Sequence, residues 1–342
     1  MSRVARMAFA LAAAAAAGAA GAQQTFVRET TSIGHPGEGH VLWWRPRTVT
    51  FHVNVTSAVT PPCGDAAKAA NLAELSIPAW NSATTTGVAP ACTDFAFTAG
   101  ARTTVQGVGS DCVNLVVFRA RNCTGAGAAV PPGDGCLATA GACAAKYNCW
   151  EHGASTIGLT TTTFDPATGE ILDADIEVNG WYPLSVSGAH LSCGDPEDPP
   201  CSPGGAGAYD TTHCNAIDIG AVVVHEAGHV LGLNHVCTAL LSNSEYGDPQ
   251  YDDICPAESV MIPNIGDVSL RRPFTTDAAG ICGIYPLGGP TSTGVGPVAP
   301  TLAETCSSPP KGGCGCGSAG GDAIAGLALA LALRGFRRLR RR

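Results

Sequence analysis

Basic side chains are scarce through most of this chain, and that scarcity removes one large class of partners at once. Between residues 23 and 321 there are 11 lysines and arginines against 27 aspartates and glutamates, a net charge of −16. Nucleic-acid affinity rests on Lys and Arg neutralising phosphates, so a body this acidic is not a nucleic-acid binder. Paired CxxC knuckles are absent although the chain carries 16 cysteines. That excludes a set of cysteine-held zinc modules and leaves a disulfide framework in an oxidising compartment. Apolar runs long enough to span a bilayer comfortably are also missing, since Met7 to Ala17 and Ala323 to Leu333 are both short. Methionine is rarest of all. Of the three, Met1 and Met7 lie in the first 22 residues, which leaves Met261 alone in the rest.

What is present begins at the ends. Arg3 and Arg6 precede the apolar run and Ala20-Gly21-Ala22 follows it, the order of a secretory signal peptide over 1–22 with cleavage before Gln23. Residues 23–46 form a short polar lead containing His35, His40, Trp43 and Trp44. Alternation over 48–54 predicts a half-buried strand, and the alanine-rich stretch 66–83 predicts a helix that Pro78 divides. Further strands are expected over 95–98, 114–119, 156–160 and 172–179, with a turn at 165–169. Residues 122–150 and 187–215 read as cysteine-bearing loops, and 276–285 as a last helix capped by Thr275 or Thr276. Thirteen cysteines fall between Cys63 and Cys282, so either Cys306 closes the set or one thiol stays free. From 287 to 313 the chain is Gly, Pro, Ser and Thr-rich, which is linker composition.

The chemistry concentrates in HEAGHVLGLNH, His225 to His235. On a helix, residues four apart share a face, so His225 and His229 offer two imidazoles to one metal. Glu226 points beside that metal and can take a proton from water. Gly232 ends the helix in a conformation glycine tolerates, and the reversed chain delivers His235 as a third ligand. Three neutral nitrogens with one open position describe a catalytic zinc site, whereas structural sites close all four positions. The bland alternative, a core helix with incidental histidines, leaves the fixed offsets of Gly232 and His235 unexplained. Downstream, Met261 sits in Ser259-Val-Met-Ile-Pro263, where a methionine turn would support the ligands from below.

HEAGHVLGLNH followed by SVMIP resembles the metzincin clan of zinc endopeptidases, and most closely its matrixin-type branch. The resemblance covers about 48–286 and defines a catalytic domain over 47–286. It implies an α+β fold with a mixed twisted sheet of about five strands and three helices, here disulfide-rich. It implies one catalytic Zn2+ on His225, His229 and His235, Glu226 as general base, and Met261 as the turn methionine, with Gly232 at the helix end. It further implies that the edge strand, Thr156, Ile157, Gly158, Leu159 and Thr160, receives an extended substrate, and that Asn264 and Ile265 border the pocket beyond the scissile bond. Ile262 departs from the aromatic usual there. Cys63 in PCGD resembles a latency cysteine but follows the first strand, so it reads as a disulfide cysteine. For a second, structural zinc the candidates are His152 and His190, and for Ca2+ the acidic loops Asp195–Asp198 and Asp248–Asp253.

At the far end, Gly312-Gly-Cys-Gly-Cys-Gly317, a short apolar run and RGFRRLRRR resemble the MYXO-CTERM sorting signal of myxobacterial surface proteins. Over 314–342 this implies anchoring at the cell envelope, with membrane contact confined to that segment. The expectation is therefore an exported or surface-anchored zinc endopeptidase, monomeric, with proteins or peptides as substrates. The alternative is a non-catalytic zinc-containing surface adhesin.

Overall fold

The computed structural model describes residues 26–32, 39–54, 66–85, 91–125, 127–153, 156–180, 190–194, 216–237, 254, 256, 258–263 and 268–288. The expected signal peptide, Cys63, Asn264, Ile265, both acidic loops and nearly all of the linker and sorting segment lie outside them. In chain order the elements are β1 (Val27–Arg28), β2 (Trp43–Trp44), β3 (Thr48–Val53), α1 (Ala66–Ser76), β4 (Ala96–Ala99), β5 (Leu115–Arg119) and β6 (Arg121–Asn122). Then follow α2 (Ala142–Tyr147), β7 (Cys149–Trp150), β8 (Gly158–Phe164), β9 (Glu170–Asn179), β10 (His190–Ser192) and β11 (Ala216–Asp218). The last are α3 (Ile219–Val230), β12 (Leu233–Asn234) and α4 (Thr275–Ile284).

A six-stranded sheet forms the frame, in the order β2-β9-β5-β3-β4 with β8 on the other side of β9. β8 runs antiparallel to β9, and the other pairings are parallel. The protein is thus mixed α/β, with the expected five strands joined by β2. Each strand shows its position in its sequence. β3 alternates, burying Val49, Phe51 and Val53, as a strand with one solvated face does. β5, LVVFR, is buried throughout, as a central strand covered on both faces must be.

β9 divides the molecule into two layers. Ala174, Ile176 and Val178 enter the main core with Val222 and Val223 of α3. Asp173, Asp175, Glu177 and Asn179 alternate with them and are equally buried on the other face. Loops and a small unit built from β6, α2 and β7 cover that second face, tied by the disulfides Cys123–Cys149 and Cys136–Cys143. Residues 122–150, read as loop from their composition, therefore hold a 3-10 turn over Gly135–Ala138, then α2 and β7. All nine described cysteines are in disulfides, including Cys92–Cys282.

The expected division at Pro78 is present, and two other boundaries differ from the sequence reading. Helix α1 stops at Ser76 and continues as a 3-10 turn over Ile77–Ser82, because Pro78 has no N–H to extend the α ladder. The edge strand starts at Gly158, so Thr156 and Ile157 precede it. Helix α4 is capped at Phe274, not by Thr275 or Thr276, because Asp277 reaches back to the Phe274 N–H at 2.8 Å. The larger difference is the lead. β1 pairs with β12, β2 pairs with β9, and Trp43 and Trp44 are buried in the core. No described helix is long and apolar enough to cross a membrane.

Candidate metal centre

Helix α3 starts where Asp218 caps it, accepting the Ala221 N–H at 2.8 Å while Arg271 clamps the same carboxylate. Every residue from Ile219 to Val230 is buried, so the helix runs through the core and tolerates apolar side chains on all sides. His225, Glu226 and His229 are the exceptions, and each has an assigned partner. The His225 Nδ1–H donates to the Val260 carbonyl at 2.6 Å, and the His229 Nδ1–H to the Leu233 carbonyl at 2.8 Å. Those bonds aim both Nε2 atoms away from the backbone and toward each other.

Gly232 then turns the chain, with φ of 86°. Its lack of a side chain serves a second purpose, because a Cβ there would sit 2.5 Å from the Leu42 carbonyl oxygen. The turn brings His235 back. Its Nε2 lies 3.0 Å from that of His225 and 3.2 Å from that of His229, which are themselves 3.2 Å apart. Among the described residues this is the one group of three or more metal-ligating side chains able to hold an ion. Nitrogens held tetrahedrally at about 2.0–2.1 Å from an ion lie roughly 3.3 Å apart, so the spacing fits to within a few tenths of an ångström. Imidazole donors suit zinc, copper, iron and nickel, and not calcium or magnesium. His225 is buried while His229 and His235 keep an exposed edge, which leaves one side of the cluster open.

The charges agree with that use. Burial and the neighbouring His229 pull the His225 imidazole down to about 3, and burial with both neighbours pulls His235 well below its ordinary value. Burial also opposes charge on His229, but Glu29 outweighs it and raises that imidazole to about 9. Burial thus keeps His225 and His235 neutral as ligands must be, while Glu29 favours charge on His229.

Glu226 is pinned from the edge strand. The Thr160 hydroxyl lies 2.8 Å from its Oε2 and 3.0 Å from its backbone oxygen. Gly158 packs so closely that a Cβ would stand 2.4 Å from Oε1. Burial raises the carboxyl above its ordinary range, partly offset by His229 and Thr160.

Met261 lies beneath the helix, buried, where a Cβ on Gly228 would meet its Sδ at 2.2 Å. Its carbonyl accepts the Val236 N–H at 3.0 Å, so this turn braces the strand leading from His235. Asp277 of α4 holds the turn in shape, accepting the Ser259 hydroxyl and the Val260 N–H. The structure thus brings His225, Glu226, His229, Gly232, His235, Met261, Gly158 and Thr160 together. Thr156 and Ile157 are instead tied to β9, their carbonyls accepting from Asn179, and Leu159 alternates to the other side of the strand. His152 is engaged elsewhere, 3.3 Å from Glu177 and edge-on to Trp150, and the side chain of His190 lies outside the described residues.

Asp277, Glu29 and Tyr285 were not singled out in the sequence. The Tyr285 hydroxyl donates to the Leu231 carbonyl and accepts from the Trp44 N–H, joining the lead to the end of α3. Only Asp277 carried a signal, as an acidic residue in a helix's first turn. No family model matches the chain, and no curated protein matches it.

Proposed function

We propose that the protein is an exported zinc endopeptidase of metzincin type, held at the cell envelope by its C-terminal segment and acting on proteins or peptides. The observation that carries this is the convergence of three imidazole Nε2 atoms within 3.2 Å, with Glu226 on the same helix beside them. The sequence spacing HExxHxxGxxH and the methionine beneath the helix support the same reading.

His225, His229 and His235 would hold the ion. Zinc in such a site supplies Lewis acidity, which polarises an amide carbonyl and makes water acidic enough to attack it near neutral pH. Glu226 takes the proton of the attacking water. With Thr160 holding Oε2, the oxygen left for that proton is Oε1, which has no partner among the described residues. The same carboxyl then returns the proton to the leaving nitrogen. Burial of Glu226 helps both steps, because a raised carboxyl pKa lies nearer the working pH. Among the described residues β8 is paired on one side only, by β9, so its outer edge can take an extended peptide as an added strand beside Glu226.

The test is proteolysis of casein by the purified chain, with and without a zinc chelator, beside Glu226→Ala. Wild type is expected to cleave only when zinc-loaded, and the variant to lose about a hundred- to ten-thousandfold in kcat while keeping its zinc. A zinc-loaded, folded wild type as inert as the variant would sink the peptidase reading and favour a binding protein.

A further inference from the structure

We propose that Glu29 is a positioning residue of the metal centre, its carboxylate orienting the His229 imidazole and strengthening it as a ligand. The inference rests on the reading that the three histidines hold a metal, and not on what the protein cleaves. Glu29 Oε1 lies 3.0 Å from His229 Nδ1, on the side of the ring opposite the converging Nε2 atoms. A metal-ligating histidine whose far N–H faces a carboxylate is fixed in tautomer and rotation, and its metal-facing nitrogen becomes more basic.

The placement is built and not incidental. Val27 pairs with Asn234 and Arg28 with Leu233, so β1 lies along the two residues that separate Gly232 from His235. The Glu29 N–H donates to the Gly232 carbonyl at 2.9 Å, and its carbonyl accepts the Leu42 N–H at 2.9 Å. Arg28 Nη2 closes the return by donating to the Leu42 carbonyl. With its backbone held on both sides, Glu29 has only its own side-chain torsions left to fix. His225 differs: its Nδ1 partner is the Val260 carbonyl, which orients the ring but brings no charge. His229 has a carbonyl, that of Leu233, and the carboxylate as well. A segment far from the motif in sequence thus places an acidic side chain against the outer nitrogen of a ligand.

The experiment titrates zinc against a colorimetric chelator into the full chain, comparing wild type, Glu29→Gln, Glu29→Ala and His229→Ala. Urea unfolding of the chelated proteins and the visible spectrum of the cobalt-loaded forms are read alongside. Glu29→Ala should weaken zinc about 10- to 100-fold. Glu29→Gln keeps the size and the hydrogen-bonding oxygen but not the charge. It should lower the chelated protein's urea midpoint less than Glu29→Ala does, still weaken zinc about tenfold, and shift the cobalt absorption bands. If Glu29→Ala does not fold, Glu29→Gln decides. Zinc binding by Glu29→Gln within about twofold of wild type, with His229→Ala deficient, would overturn this proposal alone. Failure of wild type itself to bind zinc would overturn it together with the metal reading.

Discussion

Two buried polar clusters lie on opposite sides of the same sheet, and they behave in opposite ways. On the α3 side, three imidazoles point their Nε2 atoms at one another at 3.0–3.2 Å. On the other side, Asp173, Asp175 and Glu177 point at donors the chain itself supplies. Asp173 accepts the N–H groups of Asp111 and Cys112, and Asp175 those of Gly109 and Leu115. Glu177 takes the buried Arg119 guanidinium at 2.6 Å, while Arg119 also donates to the carbonyls of Gln106 and Ala144. Buried polar atoms need partners, and it is their aim that decides the outcome. Atoms aimed at protein donors lock a loop in place. Atoms aimed at one another leave a need that a guest ion meets.

The contrast can be broken first through Arg119. Arg119→Ala leaves buried Glu177 with only His152, strands two carbonyls, and should cost about 3–5 kcal/mol in urea unfolding. Once refolded at low temperature, it should bind zinc as wild type does. A loss of zinc affinity equal to its loss of stability would mean that the two layers are not separate. Zinc supplies the reverse test. At a thousandfold excess over its dissociation constant, zinc should add about 4 kcal/mol to wild type and to Asp173→Asn, and nothing to His235→Ala. Calorimetric melting with and without the ion reads this directly.

A smaller effect separates the clusters by pH. Burial, then the charge of Asp111, raises Asp173 to about 6, and Asp175 is raised as well by burial and by Asp173. A carboxyl whose folded pKa lies above its unfolded value favours the fold while protonated. That contribution is complete below about pH 4 and disappears as pH rises through about 6. Between pH 5 and 7.5 the chelated wild type should therefore lose on the order of 1–3 kcal/mol that Asp173→Asn keeps. Parallel urea curves for the two proteins across that range would refute the assignment. Smallest of all, Thr160→Val should lower kcat about tenfold by freeing Glu226, with zinc affinity unchanged. An equal fall in zinc binding would place Thr160 with the metal instead of with the base.

The sequence displays the parts of this protein that repeat at short range. The i, i+4 spacing of His225 and His229, the turn at Gly232, the alternation of β3 and the break at Pro78 are local, and each was legible. What escaped depends on residues distant in the chain. Nothing in Glu29 distinguishes it from other surface glutamates until β1 is laid against β12. The acidic alternation of β9 is plain in the sequence, and only the loop N–H groups reveal it as a structural lock. Residues 23–46 are polar on average, which hides that Trp43 and Trp44 are wholly in the core. Composition cannot announce a helix such as α2 inside a disulfide-laced stretch, because its six residues are too few to show a period.

The Leu42 carbonyl that crowds Gly232 has a consequence for how the molecule comes into being. Residues 27–44 leave the ribosome long before 219–235, so β2 waits for β9 and β1 has no strand partner until α3 and its turn arrive. Closing so long a loop is entropically expensive and comes late. The Cys92–Cys282 bridge, spanning 190 residues, cannot form earlier either. The imidazole cluster is therefore among the last features to acquire its shape, and incomplete chains carry its three histidines without the geometry that gathers them.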